Sequence, residues 1–308
     1  MVDFFARCFS ALDNKNKVLV KLKVYSIGRA IIRQSSKIVL SLLYKYGANR
    51  GYSLKADTRS NKPRNIVTFT SFPARIGSVW LVVETILRQT VKPDKIILWL
   101  SKDQFSSLDA LPKNLLKLKE RGLEIELRDG NLKSHKKYYY TVSEYPNDNL
   151  IIIDDDILYR STMIEDMLRY KEQYPNTIIA QCGLEVTHTH NTVNSFNKWI
   201  SIYDEEIGNR NFFFGSGGGT YIPAHSLHKD ICRKDLFQQL TPLADDIWLN
   251  SMARLNKTPV LRTNASSFLE LTIDNNETLH ALNGGQNMND VQIQNVTEYY
   301  QKQNIIVF

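Results

Sequence analysis

Cysteine is scarce in this 308-residue chain. Its three cysteines, Cys8, Cys182 and Cys232, form an odd set with no CxxC spacing, which excludes a disulfide framework and a cysteine-built zinc site. No run of 18 apolar residues occurs, so no membrane-spanning helix is expected. The opening stretch is interrupted by Asp3, Arg7 and Asp13, a poor pattern for a secretory signal. Without such a signal the sequons at Asn264, Asn276 and Asn295 predict no glycosylation, and a reducing compartment is expected. Glycine and proline together fill only 23 positions, too few for a collagen-like or low-complexity chain. What is left is an ordinary globular composition, 43% hydrophobic and 23% charged. A chain of this length accommodates two domains or one large α/β domain.

Acidic residues are nearly missing from the N-terminal part. Residues 1–64 hold 14 Lys plus Arg against 3 Asp plus Glu, whereas the remainder holds 25 against 29. The net charge of +7 therefore belongs to an extension, not to the body. A basic segment calls for an anionic partner, a lipid surface or a nucleic acid. The body is net negative and carries no nucleic-acid module motif, so no nucleic acid is expected. In residues 18–46, Val18, Leu22, Tyr25 and Arg29 alternate with Lys21, Lys23 and Arg33, and Ile38–Tyr46 is apolar apart from Ser41 and Lys45. This predicts one or two basic amphipathic helices on an anionic membrane surface, through residues 1–46. The competing reading is a helix that packs on the body and shows its lysines to water. Residues 47–64, with Gly47, Gly51 and Pro63, read as a linker.

From residue 65 the pattern alternates between strands and helices. Asn65–Phe69, Lys95–Leu100 and Leu150–Ile153 are short apolar runs, as in strands covered on both faces. Leu123, Ile125 and Leu127 alternate with polar residues, and Thr177–Ala180 is a further strand. Val79, Val82, Val83, Ile86 and Leu87 make one helix face. Leu111, Leu115 and Leu118 predict another helix, closed by Gly122. Residues 133–145 form a Lys- and Tyr-rich helix, and Thr162 and Glu165 have capping-box spacing ahead of a third. Further helices are expected near 246–255 and 290–303. The order predicts an α/β fold, a mainly parallel, Rossmann-related sheet flanked by helices, with a basic helical N-terminal extension.

Five features carry chemistry. Asp154, Asp155 and Asp156 follow the strand Ile151–Ile153 directly. Ligands of open parallel sheets bind beyond the carboxyl ends of strands. Three adjacent carboxylates repel one another unless a cation compensates, and Mn²⁺ or Mg²⁺ suits them, often sharing its shell with substrate phosphates. Asp245 and Asp246 precede a helix, where one would cap it and the other act as a base or charge stabiliser. The loop Gly215-Ser216-Gly217-Gly218-Gly219 matches neither GxGxxG nor a P-loop, so it is either a backbone approach to a ligand or a bulged turn. Lys133, His135, Lys136 and Lys137 supply cations for phosphate or a solvated face. His280 is a possible late metal ligand.

Taken together these residues resemble a bacterial group of glycosyltransferases with the GT-A fold. The resemblance runs through Thr68-Phe69-Thr70-Ser71-Phe72-Pro73-Ala74-Arg75-Ile76, Leu87-Arg88-Gln89-Thr90-Val91-Lys92-Pro93-Asp94, the DxD-like Asp154-Asp155-Asp156, Gly217-Gly218-Gly219 and Ala244-Asp245-Asp246-Ile247-Trp248. It spans roughly residues 64–300. The resemblance implies that Asp154 and Asp156 hold Mn²⁺ or Mg²⁺ against the diphosphate of a sugar nucleotide, UDP-sugar foremost. It puts Thr70, Ser71 and Arg75 near base and ribose, and Lys137, Asp155 and Gly218 along the bound donor. Asp246, or its neighbour Asp245, would face the acceptor hydroxyl. A glycan or lipid-linked acceptor in capsule or lipopolysaccharide synthesis follows, at the cytoplasmic face of the inner membrane. The chain lacks the Glu-Asp pair and the QxxRW motif of family-2 enzymes, so processive synthesis is not expected. Competing expectations are a metal-dependent phosphohydrolase or nucleotidyltransferase, and a non-catalytic glycan-binding scaffold. The organisation expected is residues 1–63 as extension and linker and 64–308 as catalytic domain, with a nucleotide half 64–182 and an acceptor half 183–308.

Overall fold

A computed structural model describes residues 1–12, 20–47, 52–54, 62–190, 192–202, 206–207, 211–263, 271–273 and 287–308. His280, the sequons at Asn264 and Asn276, and most of the expected linker lie outside these. The described strands are β1 (Asn65–Thr70), β2 (Lys95–Ser101), β3 (Leu123–Arg128), β4 (Asn149–Ile152), β5 (Ile178–Ala180), β6 (Gly183–Glu185), β7 (His188–Thr189), β8 (Thr192–Val193), β9 (Ile200–Ser201), β10 (Glu206–Ile207), β11 (Phe212–Phe214), β12 (Thr220–Ile222) and β13 (Val260–Arg262). Eight of them form one sheet in the order β10-β13-β5-β12-β4-β1-β2-β3. Pairings β1–β2, β1–β4, β2–β3 and β13–β5 are parallel. β12 runs antiparallel between β4 and β5. The fold is thus the mixed α/β, mainly parallel sheet that the alternating pattern predicts.

The apolar runs of β1, β2 and β4 are continuous because both faces of the sheet are covered. Val67, Phe69, Ile96, Leu98 and Ile151 enter a core under the helices Val79–Leu87 and Met163–Gln173. Leu150, Ile152, Ile178 and Ile222 enter a second core under Lys136–Glu144, Lys234–Leu240, Asp245–Leu255 and Met288–Gln301. The first of these helices is fastened to the sheet by polar contacts. Thr68 Oγ1 donates to the Lys137 carbonyl at 2.6 Å, and Trp99 Nε1 donates to Thr141 Oγ1 at 2.8 Å. Such buried bonds fix one register, since leaving any of them unmade is costly.

Three local expectations change. The helix expected around Leu111–Leu118 is a short α-turn, Lys113–Leu116, running into a 3₁₀ segment, Lys117–Arg121. Pro112 starts it and Gly122, at φ 106°, ends it, leaving too few residues for a regular helix. Residues 133–135 are likewise 3₁₀, so the Lys-Tyr helix begins at Lys136. The capping box does not close. Thr162 makes no cap bond and donates to Asp166, while Glu165 accepts from Thr90 across to the neighbouring segment.

The extension is helical, Val2–Ala11 and Val24–Tyr46, and the second helix packs on the body. Ser36, Leu40 and Tyr44 are buried there, and the Arg88 guanidinium sits between the rings of Tyr44 and Tyr52 at 4.3 and 4.2 Å. Behind them Glu84, itself buried, takes Arg88 and Arg121 as partners at 2.6 and 2.5 Å. Tyr52–Leu54, within the expected linker, lies along the body, with Arg121 donating to the Tyr52 carbonyl.

Candidate active site

The carboxyl ends of β1 and β4 meet the glycine loop at one edge of the sheet. There β4 ends and Asp154, Asp155 and Asp156 follow. β12 lies beside β4, with Thr220 opposite Ile152, so the loop Gly215–Gly219 is carried against the acids. The Asp154 N–H donates to the Gly217 carbonyl at 3.1 Å and to the Tyr159 hydroxyl at 2.8 Å. Tyr159 Oη in turn donates to Gly217 O. A Cβ on Gly217 would fall inside the Asp154 carboxylate, so any larger residue must displace the acid or the loop. The sequence marks this loop, with Gly218 as the expected donor contact, and the residue against Asp154 is Gly217. Tyr159, five residues past Asp154, carries no sequence signal at all.

The three acids divide between two cations. Asp154 pairs with Lys137, which also faces Asp245 at 3.4 Å. Asp155 is buried and fully engaged, accepting from Ser71 Oγ at 2.5 Å and Arg75 Nη1 at 2.8 Å. Asp156 lies 3.0 Å from the same Arg75 nitrogen. The second acid pair closes the far side. Ser216 Oγ donates to Asp245 at 3.1 Å, and the Ser216 N–H donates to Asp246 at 2.9 Å. The sequence-expected residues Arg75, Lys137, Asp154, Asp155, Asp156, Asp245 and Asp246 therefore do converge. Thr70 and Ser71 stand at the same edge with their hydroxyls committed inward, to the Trp99 carbonyl and to Asp155. Ser71 thereby shares Asp155 with Arg75. Gly218 is half-buried next to Gly217. His188 is exposed on β7.

The charge balance is unfavourable as it stands. Five carboxylates face Arg75 and Lys137. Burial, with Asp154 adding to it, pushes Asp156 up to about 7 despite Arg75. Burial and the adjacent Asp245 push Asp246 up to about 7 despite Lys137. At Asp245 burial is outweighed by Lys137, and its carboxyl is held below the usual range. Burial would neutralise Lys137, but Asp154, Asp245 and Asp246 hold it charged.

A divalent cation would offset this excess. Carboxylate oxygens are hard donors that suit Mg²⁺ or Mn²⁺, ions usually held by one or two carboxylates with substrate phosphates completing the shell. Among the described residues no three Asp, Glu, His or Cys side chains gather around one point. Asp154 and Asp156 are the carboxylates here that could contribute to such an ion's shell.

His135 secures the arrangement from below. Its Nε2 meets the Thr241 carbonyl at 2.6 Å and its Nδ1 meets the Tyr138 hydroxyl at 2.8 Å, and its ring stacks on Phe237. A carbonyl only accepts, so Nε2 donates to it. Burial lowers its pKa to about 4. The imidazole thereby ties the helix bearing Lys137 to the segment leading into Asp245 and Asp246. Its contribution to stability is present above about pH 6.5 and is lost as pH falls through about 4, because the unfolded chain then binds the extra proton. At neutral pH, His135→Gln is expected to unfold at lower urea. The gap from wild type should narrow by about 3 kcal/mol between pH 7 and pH 4. Urea titrations at both pH values check it.

No family model matches the chain, and no curated protein matches its sequence. Among solved structures, a mannosyltransferase from Pyrobaculum calidifontis in complex with GDP-Man and Mn²⁺ is similar at 11% identity and TM-score 0.48, covering 89% of this chain and 75% of that one. A 4-diphosphocytidyl-2C-methyl-D-erythritol synthase is similar at 10% identity and TM-score 0.42, covering 74% and 100%. HddC from Yersinia pseudotuberculosis follows at 12% identity and TM-score 0.32, covering 52% and 76%. These likenesses are distant, and the functional reading rests on the site itself.

Proposed function

We propose that this protein is a metal-dependent glycosyltransferase. It moves a sugar from a nucleotide diphosphate sugar, UDP-sugar first among them, to a glycan or lipid-linked acceptor in bacterial surface polysaccharide synthesis. The observation that carries this reading is the pairing of two carboxylate groups, Asp154–Asp156 and Asp245–Asp246, across Lys137 at the carboxyl edge of the sheet. One group suits a metal–diphosphate and the other suits an acceptor hydroxyl. The sequence resemblance through Thr68–Ile76 and Ala244–Trp248 supports the same assignment.

In this reading Asp154 and Asp156 would hold Mn²⁺ or Mg²⁺, which when bound neutralises charge on the departing diphosphate. Arg75 and Lys137 flank that charge from two sides. Arg75 is itself held by Asp155, so its guanidinium is already oriented before a ligand arrives. Asp246, held near neutrality, is matched to receive a hydroxyl proton at physiological pH. Its carboxylate takes that proton as the acceptor oxygen bonds to the sugar carbon and the bond to the phosphate oxygen breaks.

The first experiment is a thermal-shift panel of UDP, GDP, CMP and dTDP and their sugars, with and without Mn²⁺. One nucleoside diphosphate is expected to stabilise the protein by about 3 kcal/mol at a hundredfold excess over Kd, only with metal present. Asp156→Ala is expected to abolish that shift. An unchanged shift in the variant removes Asp156 from the metal. Silence toward every sugar nucleotide, with hydrolysis of a phosphomonoester, favours a phosphohydrolase instead.

A further inference from the structure

The helix Val24–Tyr46 shows an apolar face to solvent that its packing does not require. Its inward face is accounted for, with Ser36, Leu40 and Tyr44 buried and Ile32 and Val39 partly covered. Outward, Val24, Ile27, Ile31, Ile38 and Leu42 fall at spacings of three, four and seven residues. At ~100° per residue they line a single stripe. Their exposure runs from 43% at Val24 to 59% at Ile31. A helix that only shields the body would place charge along that line.

The charges sit beside the stripe, and all are of one sign. Lys23, Lys37 and Lys45, 14 and 8 residues apart, fall along one border, and Lys21 precedes them. Residues 14–56 contain ten Lys plus Arg and no Asp or Glu. The helix is also held firmly. Helix Val2–Ala11 packs against it, with the Phe9 ring facing both Arg29 and Arg33 at 5.7 Å. Asp3 on that first helix accepts from the Ser161 N–H and hydroxyl at 3.2 and 2.7 Å. The pair is therefore tied to the segment just downstream of Asp156.

We infer that this stripe docks the protein on an anionic lipid surface, with the helix lying in the plane of the interface. Apolar side chains enter the acyl boundary while lysines meet lipid phosphates. A second copy of the chain is the rival occupant for an apolar stripe. Two copies would bring like charges together with no acid between residues 14 and 56 to pair them, whereas anionic lipid complements them. The inference stands independently of the reaction proposed for the sheet edge.

The test uses the full chain with phosphatidylcholine vesicles, alone or with about 30% phosphatidylglycerol. Co-sedimentation is expected only with the anionic vesicles, weakening as salt rises from about 0.05 to about 0.5 M. The triple variant Ile27→Asp, Ile31→Asp, Ile38→Asp is expected to lower partitioning by about tenfold or more. All three positions are exposed, so its thermal melt should match wild type. A second variant, Lys23→Gln with Lys45→Gln, should blunt the preference for anionic vesicles and leave the stripe intact. Vesicle binding by the triple variant equal to wild type overturns the inference. So does a wild-type dimer that the triple variant dissociates without any vesicle binding, which assigns the stripe to a second copy.

Discussion

Asp246→Asn is expected to stop turnover and to stabilise the metal-free protein in one substitution. The two effects have one cause. Burial and Asp245 push the Asp246 carboxyl up to about 7. An acid whose folded pKa lies above its unfolded value favours folding only while it is protonated. Its charged form destabilises the fold progressively as pH rises from about 4 through about 7. Asparagine carries no charge at any pH and keeps an oxygen for the Ser216 N–H. The variant should therefore equal wild type near pH 4 and exceed it above pH 7 by about 2–4 kcal/mol, after allowance for the open side of the cleft. In a chain of this size that is about 5 °C or more in Tm, read by melting in EDTA. The same neutral amide accepts no proton from a hydroxyl, so sugar transfer should fall by about a thousandfold. Metal-dependent nucleotide binding should persist, since Asp154 and Asp156 are untouched. A variant with wild-type turnover removes Asp246 from the chemistry, and a variant no more stable at pH 8 removes the charge strain.

Gly217→Ala is expected to destroy metal-dependent nucleotide binding without altering any charged residue. The new methyl would occupy the position of the Asp154 carboxylate. Either the side chain swings away from Lys137, or the loop retreats and breaks the bonds from Asp154 N–H and Tyr159 Oη to the Gly217 carbonyl. Overpacking of this kind costs about 1–3 kcal/mol in stability. The larger effect falls on the site, where a displacement of about 1 Å is enough to cost a hundredfold in function. Calorimetry of the responding nucleoside diphosphate with Mn²⁺ reads the loss. Gly219→Ala is a useful contrast. At φ 103° its strain is in the backbone, and the nearest atom is the Met163 sulfur, not an acid. It should destabilise the fold yet bind nucleotide better than Gly217→Ala does.

The strands and main helices were legible because each is specified within one stretch of chain. The run Lys95–Leu100 has the same apolar character wherever it is placed, and the face Val79–Leu87 repeats at helical spacing. The acid triplet was legible for the same reason, since strand and carboxylates are contiguous. What the sequence withheld is every relation between distant segments. Nothing in residues 133–137 says that Lys137 will stand between Asp154 and Asp245. Nothing in Thr70 or Ser71 says that their hydroxyls turn inward. The glycine loop is visible as composition, but the demand for glycine at position 217 arises from an acid 63 residues upstream. The capping box failed likewise, because Glu165 finds a tertiary partner in Thr90.

The place of β12 has a consequence for how the chain is made. Its three residues, Thr220–Ile222, fill the slot between β4 and β5. A nascent chain that has emerged only through β5 holds two facing strand edges with an empty lane between them. Unpaired edges of apolar strands are templates for wrong partners. The sheet closes only after some forty further residues have been synthesised, and β13 joins later still. The sheet edge that carries the acids is therefore completed late in synthesis, and until then the chain depends on staying apart from its neighbours on the same messenger.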